Sequence, residues 1–175
     1  MRFAIYMAIA MIAATTSSAQ DFKVCKSTYA LCTIAPCKPI PGNDKEVVCL
    51  CTVNTGYSLG QEPCSEVKDT PNGQHIKSRY YPVHSYAVCS NDRSWANCLD
   101  SPCTIDKNNP TAAICACGVV KNVGDYFIVT SRYTPTTCTT GTISSATVKA
   151  ATEVTDYLKA KAPDLPPFNI EILYK

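Results

Sequence analysis

Twelve cysteines, all beyond residue 24, constrain this chain more than any other feature. They fall into two sets: Cys25, Cys32, Cys37, Cys49, Cys51 and Cys64, then Cys89, Cys98, Cys103, Cys115, Cys117 and Cys138. The central spacing, C-x4-C-x11-C-x-C, is the same in both. Other positions recur with it: Val24 with Val88, Ala30 with Ala96, Pro36 with Pro102, Asn43 with Asn109 and Val53 with Val119, while Tyr29 and Trp95 put an aromatic at matching sites. Self-similarity at a fixed offset reads as an internal duplication. The copies differ in their first and last gaps, where loops tolerate length changes because closure entropy grows slowly with length.

A unit of about 50 residues buries too little apolar surface to offset its chain entropy comfortably. Disulfides, worth about 2–4 kcal/mol each, supply the difference. The chain predicts a strand in each unit at the C-x-C segment, Val47–Val53 and Ala113–Val120. Side chains alternate along a strand, so Cys49 and Cys51 share a face, as do Cys115 and Cys117. Each then bonds a cysteine on a neighbouring segment. The turn-rich stretches Pro39–Asp44 and Asp106–Pro110 should reverse the chain and carry Cys32 and Cys37, or their counterparts, back over that face. Six cysteines allow 15 pairings in each unit, so the sequence leaves the connectivity open.

The N-terminus reads as a secretory signal: Arg2, an apolar run Phe3–Ala14, and small residues at Ser17 and Ala19. The run is too short to span a bilayer. Cleavage after Ala19 leaves 15 basic and 14 acidic side chains, since Arg2 is one of the 16 basic residues, and a net charge of +1. That balance offers no electrostatic attraction to nucleic acid or anionic membrane. Dense, even-numbered cysteines on an exported chain read as disulfides formed in an oxidising compartment. The absence of any Asn-x-Ser/Thr sequon leans toward a bacterial source.

The expected organisation is a signal peptide over 1–19, a first six-cysteine unit over 20–64, a connector over 65–87, a second unit over 88–138 and a C-terminal helix and short strand over 139–175. The connector carries a turn at Thr70–Gly73 and an aromatic, extended-looking stretch, Ile76–Val83. In the tail, Ser144 or Ser145 caps a helix with Val148, Ala151, Val154 and Leu158 on one face, and Pro163 ends it. Phe168, Ile170, Ile172 and Tyr174 then alternate as a strand. The tail is expected to dock on the second unit. The fold class is a small disulfide-rich, β-dominated protein with a C-terminal helix and two tandem homologous units.

Each candidate chemistry has a plainer reading beside it. The thiols of C-x4-C…C-x-C suit zinc, copper(I) or an iron–sulfur cluster, but lack the C-x2-C knuckle, and export favours disulfides. Cys49-Leu50-Cys51 and Cys115-Ala116-Cys117 invite a thiol-redox role, which requires an exposed low-pKa cysteine. Gly56-Tyr57-Ser58-Leu59-Gly60 matches the nucleophile elbow G-x-S-x-G, without the α/β sheet on which it works. His75 and His84, the only histidines, sit in the connector as candidate copper ligands or a general base. Lys77, Arg79, Tyr80 and Tyr81 form a candidate binding loop, with Lys77-Ser78-Arg79 placed to engage a trypsin-like protease. No spacing marks a catalytic carboxylate pair.

Tyr29-Ala30-Leu31-Cys32-Thr33-Ile34-Ala35-Pro36-Cys37 with Cys49-x-Cys51, and Trp95-Ala96-Asn97-Cys98 through Cys117, resemble small exported bacterial cysteine-rich tandem-repeat proteins of unknown function. The resemblance covers about a third of the mature chain and implies no activity, ligand or site residue. The reading is therefore a secreted or periplasmic, non-enzymatic protein-binding module without cofactor. A metal-binding or thiol protein, a protease inhibitor and a small hydrolase are the alternatives, and the partner is an unnamed extracellular or periplasmic protein.

Overall fold

The computed structural model describes residues 22–81, 85–121, 124–130, 132–139, 141–162 and 171–174. The leader segment, His84, Pro163, Phe168 and Ile170 lie outside them. The first cysteine set occupies β1 (Lys23–Leu31), β2 (Pro36–Ile40) and the long β3 (Asn43–Gly60). Next come β4 (Lys68–Thr70) and β5 (Gly73–Lys77). The second set runs through β6 (Ser85–Cys89), β7 (Trp95–Asn97), β8 (Pro102–Asp106), β9 (Asn109–Val120) and β10 (Tyr126–Val129). β11 (Thr142–Thr147), α1 (Val148–Lys161) and β12 (Glu171–Tyr174) complete the described chain. The protein is small and β-dominated, with one C-terminal helix and six disulfides.

Both expected chain reversals are hairpins. β2 turns into β3 at Pro41-Gly42, where Gly42 takes φ 77° at no steric cost. Asn43 Oδ1 then accepts the N–H groups of Lys45 and Glu46 at 3.0 and 3.1 Å. β8 turns into β9 at Lys107-Asn108, and Asn109 Oδ1 accepts from the Thr111 N–H at 3.2 Å. An Asn at both sites thus serves one purpose, a side-chain acceptor for the first donors beyond the turn.

The two C-x-C strands pair with each other. β3 and β9 run antiparallel with Cys49 opposite Cys115 and Leu50 opposite Ile114. Cys49 and Cys115 are 66 positions apart, and applying that shift to each pair of the ladder returns another pair of the same ladder; Glu46↔Gly118 becomes Thr52↔Ala112. The same shift carries Tyr29↔Asn54 on β1–β3 to Trp95↔Val120 on β7–β9. It also carries Cys37↔Cys49 to Cys103↔Cys115, including the register shift after Pro39 and after Ile105.

The segment between the cysteine sets is built into this sheet. Its strand β5 pairs with β8 of the second set, Ile76 opposite Cys103, while β11 pairs with β2 of the first, Thr142 opposite Cys37. Each set is thus followed by a strand that extends the other set's sheet. Each crossing segment carries a buried serine, Ser78 directly after β5 and Ser144 within β11. The Ser78 N–H donates to the Ser101 carbonyl, and the Ser144 N–H donates to the Ala35 carbonyl, each at 3.0 Å. The hydroxyls return the favour, accepting from the Ser101 N–H at 3.0 Å and the Ala35 N–H at 3.1 Å.

Those bonds explain one correction. Ser144 and Ser145 do not cap the helix, because their backbone belongs to β11 and pairs with Ala96 and Asn97 of β7. Thr147 is the cap, extended at φ −70° and ψ 150°, with its hydroxyl accepting from the Ala150 N–H at 3.1 Å. The helix stops at Lys161, with Ala162 held out of helical geometry one residue before the sequence reaches Pro163. The tail docks on the second set as expected, and on the first set as well. Val154 and Leu158 bury against Phe22 and Leu59 of the first set, while Ala151 packs with Phe127 and Ala146, so α1 covers both. The strand β12 lies on β6 of the second set.

Candidate functional site

Cysteine forms the main core. Of its fifteen buried residues, eight are cysteines: Cys32, Cys37, Cys49, Cys51, Cys98, Cys103, Cys115 and Cys117. Register places Thr142, Cys37, Cys49, Cys115, Cys103 and Ile76 in one row across six strands, all on one face. All twelve cysteines are paired, and the order is nested alike in each set. Cys37–Cys49 and Cys103–Cys115 bridge residues directly opposite in hairpins, with Cα separations of 4.0 and 4.1 Å. Cys32–Cys51 and Cys98–Cys117 lie next outward, and Cys25–Cys64 and Cys89–Cys138 close the widest loops. Each C-x-C pair thus points one way and bonds outward to neighbours, as alternation requires.

This chemistry bears on metal and redox readings. Two groups of sulfurs lie close together, Cys32 with Cys98 and Cys117, and Cys32 with Cys51 and Cys115. Every one of these atoms is already committed to a disulfide, and a metal needs thiolate donors. The cluster is a packed block of disulfides, buried beyond the reach of a redox partner.

Of the candidate binding loop, Lys77 belongs to a strand, while Arg79, Tyr80 and Tyr81 follow it outside the named strands. Lys77 is the last residue of β5, opposite Pro102, and pairs with Glu62. Arg79 is only 4% exposed, which corrects the expectation of a basic residue presented to a protease cleft. Its Nη1 donates to Asp100 Oδ1 at 2.7 Å and to the Glu62 carbonyl at 2.9 Å. Its Nη2 donates to the Lys23 carbonyl at 2.9 Å and to Cys25 Sγ at 2.8 Å. Asp100 Oδ2 accepts in turn from the Gln61 and Glu62 N–H groups at 2.6 and 3.2 Å. Through Arg79 of the connector, the pair joins two segments of the first set, β1 and the residues after β3, to Asp100 of the second, so its role is to lock the two sets together. Gly60 makes room for it, since a Cβ there would run into both the Arg79 guanidinium and the Asp100 carboxylate.

Tyr80 follows Arg79 and exchanges both backbone hydrogen bonds with Leu59 at 2.8 Å. Burial pushes its phenol well above the usual tyrosine range, and the Asp100 carboxylate adds to the shift. Tyr29 is pushed up to about 12 by burial, against a hydrogen bond from Asn54 that lowers it and the nearby Tyr81, which raises it. Phenols so placed are packing groups at neutral pH. Tyr81, by contrast, is exposed.

His75 sits on exposed β5 between Lys68 and Thr104, and the described residues near it offer no metal-ligand group. Ser58 of the G-x-S-x-G match is fully buried near the end of β3, with no strand-to-helix elbow to present its hydroxyl. Sequence reading missed the surface the fold does present. Leu50 and Ile114 are 53% and 48% exposed and directly opposite each other, on the face away from the disulfides. Val48 and Ala116 continue the patch across the same ladder, and Lys38 borders it on β2. Alternation along the C-x-C strands was the available signal: the residue between two buried cysteines must face outward.

The molecule thus belongs, by fold and chemistry, among small disulfide-rich β proteins. Comparison with protein-family models, with curated proteins and with solved structures finds no match for the chain. Six disulfides are the signature of an oxidising, extracellular-type environment. Among the described residues, no helix is long and apolar enough to cross a membrane.

Proposed function

We propose that this is an exported, non-enzymatic module that arose by tandem duplication and binds a partner protein through the rigid outer face of β3 and β9. The observation that carries the reading is the Leu50–Ile114 pair, held exposed at the centre of a ladder whose other face is pinned by disulfides. An apolar centre with a polar border is the usual anatomy of an interface. A face that is already rigid loses little entropy on association. The equal cysteine spacing, nested pairing and 66-residue recurrence of register support duplication.

Cross-linking in the exported fraction of the producing cell tests the reading. The native protein should form a discrete cross-linked species with a second protein. Leu50→Glu with Ile114→Glu should lose that species while keeping the melting temperature. Survival of the species in the double variant would refute this face as the binding site. Intact mass should rise by about 12 Da on full reduction, the count for six disulfides.

A further inference from the structure

Eleven of the twelve cysteines are buried, and Cys64 alone is exposed. It stands in the wall of an open groove of about 860 Å³, mouth included, with Phe22, Val24, Tyr157 and Lys161. Its disulfide partner, Cys25, is buried on β1, and Arg79 Nη2 lies 2.8 Å from the Cys25 sulfur. One bond thus has an accessible cysteine at one end and a guanidinium donor on the sulfur at the other.

The second set shows the same bond without these features. Cys89–Cys138 is the matching outer disulfide, and both of its cysteines are buried. Cys89 packs among Trp95, Tyr126 and Ile128. The difference at the buried sulfur traces to one position. Two residues before Cys25, Lys23 stands opposite Gly60, whose missing side chain admits Arg79. Two residues before Cys89, Ala87 stands opposite Ile128, which puts an apolar side chain in that place.

We infer that Cys25–Cys64 is a thiol-exchange site, at which a small-molecule thiol is taken up on Cys64. The incoming thiolate attacks Cys64 Sγ through the groove and forms a new S–S bond there. The Cys25–Cys64 bond breaks, and its electron pair leaves on Cys25 Sγ as a thiolate against Arg79. One disulfide and one thiolate replace another of each, so the step needs no further oxidant or reductant. Attack of the Cys25 thiolate back on Cys64 Sγ expels the small thiol and restores the bond. Exchange depends on access to the attacked sulfur and on the stability of the leaving thiolate. A disulfide sulfur is a weak acceptor and a thiolate a charged one, so the Arg79 contact strengthens as the bond breaks. Asp100 holds Nη1 and shares its own charge with the Gln61 and Glu62 N–H groups, while Nη2 stays on the sulfur. Tyr157 and Lys161 of the helix wall the groove, which suits a small molecule better than a cysteine on a folded protein. The site uses neither Leu50 nor Ile114, so it stands or falls apart from the proposed binding face.

The probe is glutathione, added in excess to the full oxidised mature protein. Exchange is stopped with a fast alkylating reagent, and peptide mass mapping locates both added groups. The first product should carry glutathione on Cys64 and the alkyl group on Cys25, while Cys89–Cys138 opens at least about tenfold more slowly. Arg79→Lys keeps a positive charge for Asp100 but withdraws the donor from the sulfur. It should lower the ratio of the two cleavage rates, read within the same molecules, by about tenfold. The inference is overturned if Cys89–Cys138 opens as fast, if glutathione sits on Cys25 with Cys64 alkylated, or if the ratio is unchanged in Arg79→Lys. The first two readouts come from the unaltered protein and decide the matter even where the variant folds poorly.

Discussion

Replacement of Arg79 by Met should be among the most damaging single changes outside the cysteines. Methionine keeps the length of the apolar stem but removes four donor contacts, to Asp100 Oδ1, the Glu62 and Lys23 carbonyls and Cys25 Sγ. The Asp100 carboxylate then stays buried without its counter-charge. Removing one member of a buried ion pair typically costs about 3–5 kcal/mol. Asp100 keeps the Gln61 and Glu62 N–H groups on its other oxygen, which places the expected loss near the lower end, about 3 kcal/mol. Asp100→Asn in the Arg79→Met background removes the stranded charge. Asn tolerates the φ of 57° found there, so no backbone penalty is added. The double variant should therefore be more stable than the sum of the single losses by about 1–3 kcal/mol. Guanidinium unfolding with disulfides intact measures this, read by the fluorescence of Trp95, the one tryptophan, which is buried at β7. A loss below about 1 kcal/mol for Arg79→Met at unchanged m-value, or additive single losses, would refute the pair as the lock between the two cysteine sets.

Gly60→Ala should also destabilise strongly by driving a methyl into that ion pair, whereas Gly118→Ala, with open space around its Cα, should be close to neutral; comparing the two melting temperatures checks both. Replacing Cys89 and Cys138 together by Ala should cost about 4 kcal/mol, against about 3 kcal/mol of chain entropy for Cys37 and Cys49, because the first pair closes 49 residues and the second 12. Denaturant midpoints in the oxidised state decide it, and a reversed order would mean that packing around the inner pair outweighs loop closure. Burial raises the Tyr29 phenol to about 12 from an ordinary value of 10.0, so the unfolded chain gives up that proton first. Stability from this group is complete below pH 10 and falls as pH rises toward 12. Absorbance titration of the tyrosines should show Tyr29→Phe removing a late-ionising group, and no change in the alkaline end of the curve would count against it.

Much of this fold was legible because a few residue types admit few conformations. Single-residue spacing in Cys49-Leu50-Cys51 and Cys115-Ala116-Cys117 dictates two sulfurs on one face and an outward residue between them. Pro41-Gly42-Asn43 and Asn108-Asn109-Pro110 dictate reversals, which the hairpins of β2–β3 and β8–β9 realise. Val148, Ala151, Val154 and Leu158 dictate a helix with one buried face, and that helix is present. Its cap was misread because Ser144, Ser145 and Thr147 carry the same hydroxyl chemistry. Only the pairing of β11 with β2 and β7 withdraws the serines from the competition.

The sequence by itself determined the oxidised framework, the local elements and the face on which each C-x-C sulfur lies, all consequences of spacing within a few residues. Tertiary structure alone decided what lies far apart in the chain and close in space. It chose one nested pairing out of 15 in each set, since a cysteine does not encode its partner. It turned the segment after each cysteine set into a strand of the other set's sheet, and it buried Arg79, a residue whose charge alone suggests solvent. An arginine enters the interior only where a carboxylate, carbonyl oxygens and a glycine's missing side chain converge on it. That convergence of Asp100, Glu62, Lys23 and Gly60 exists only once the chain has folded.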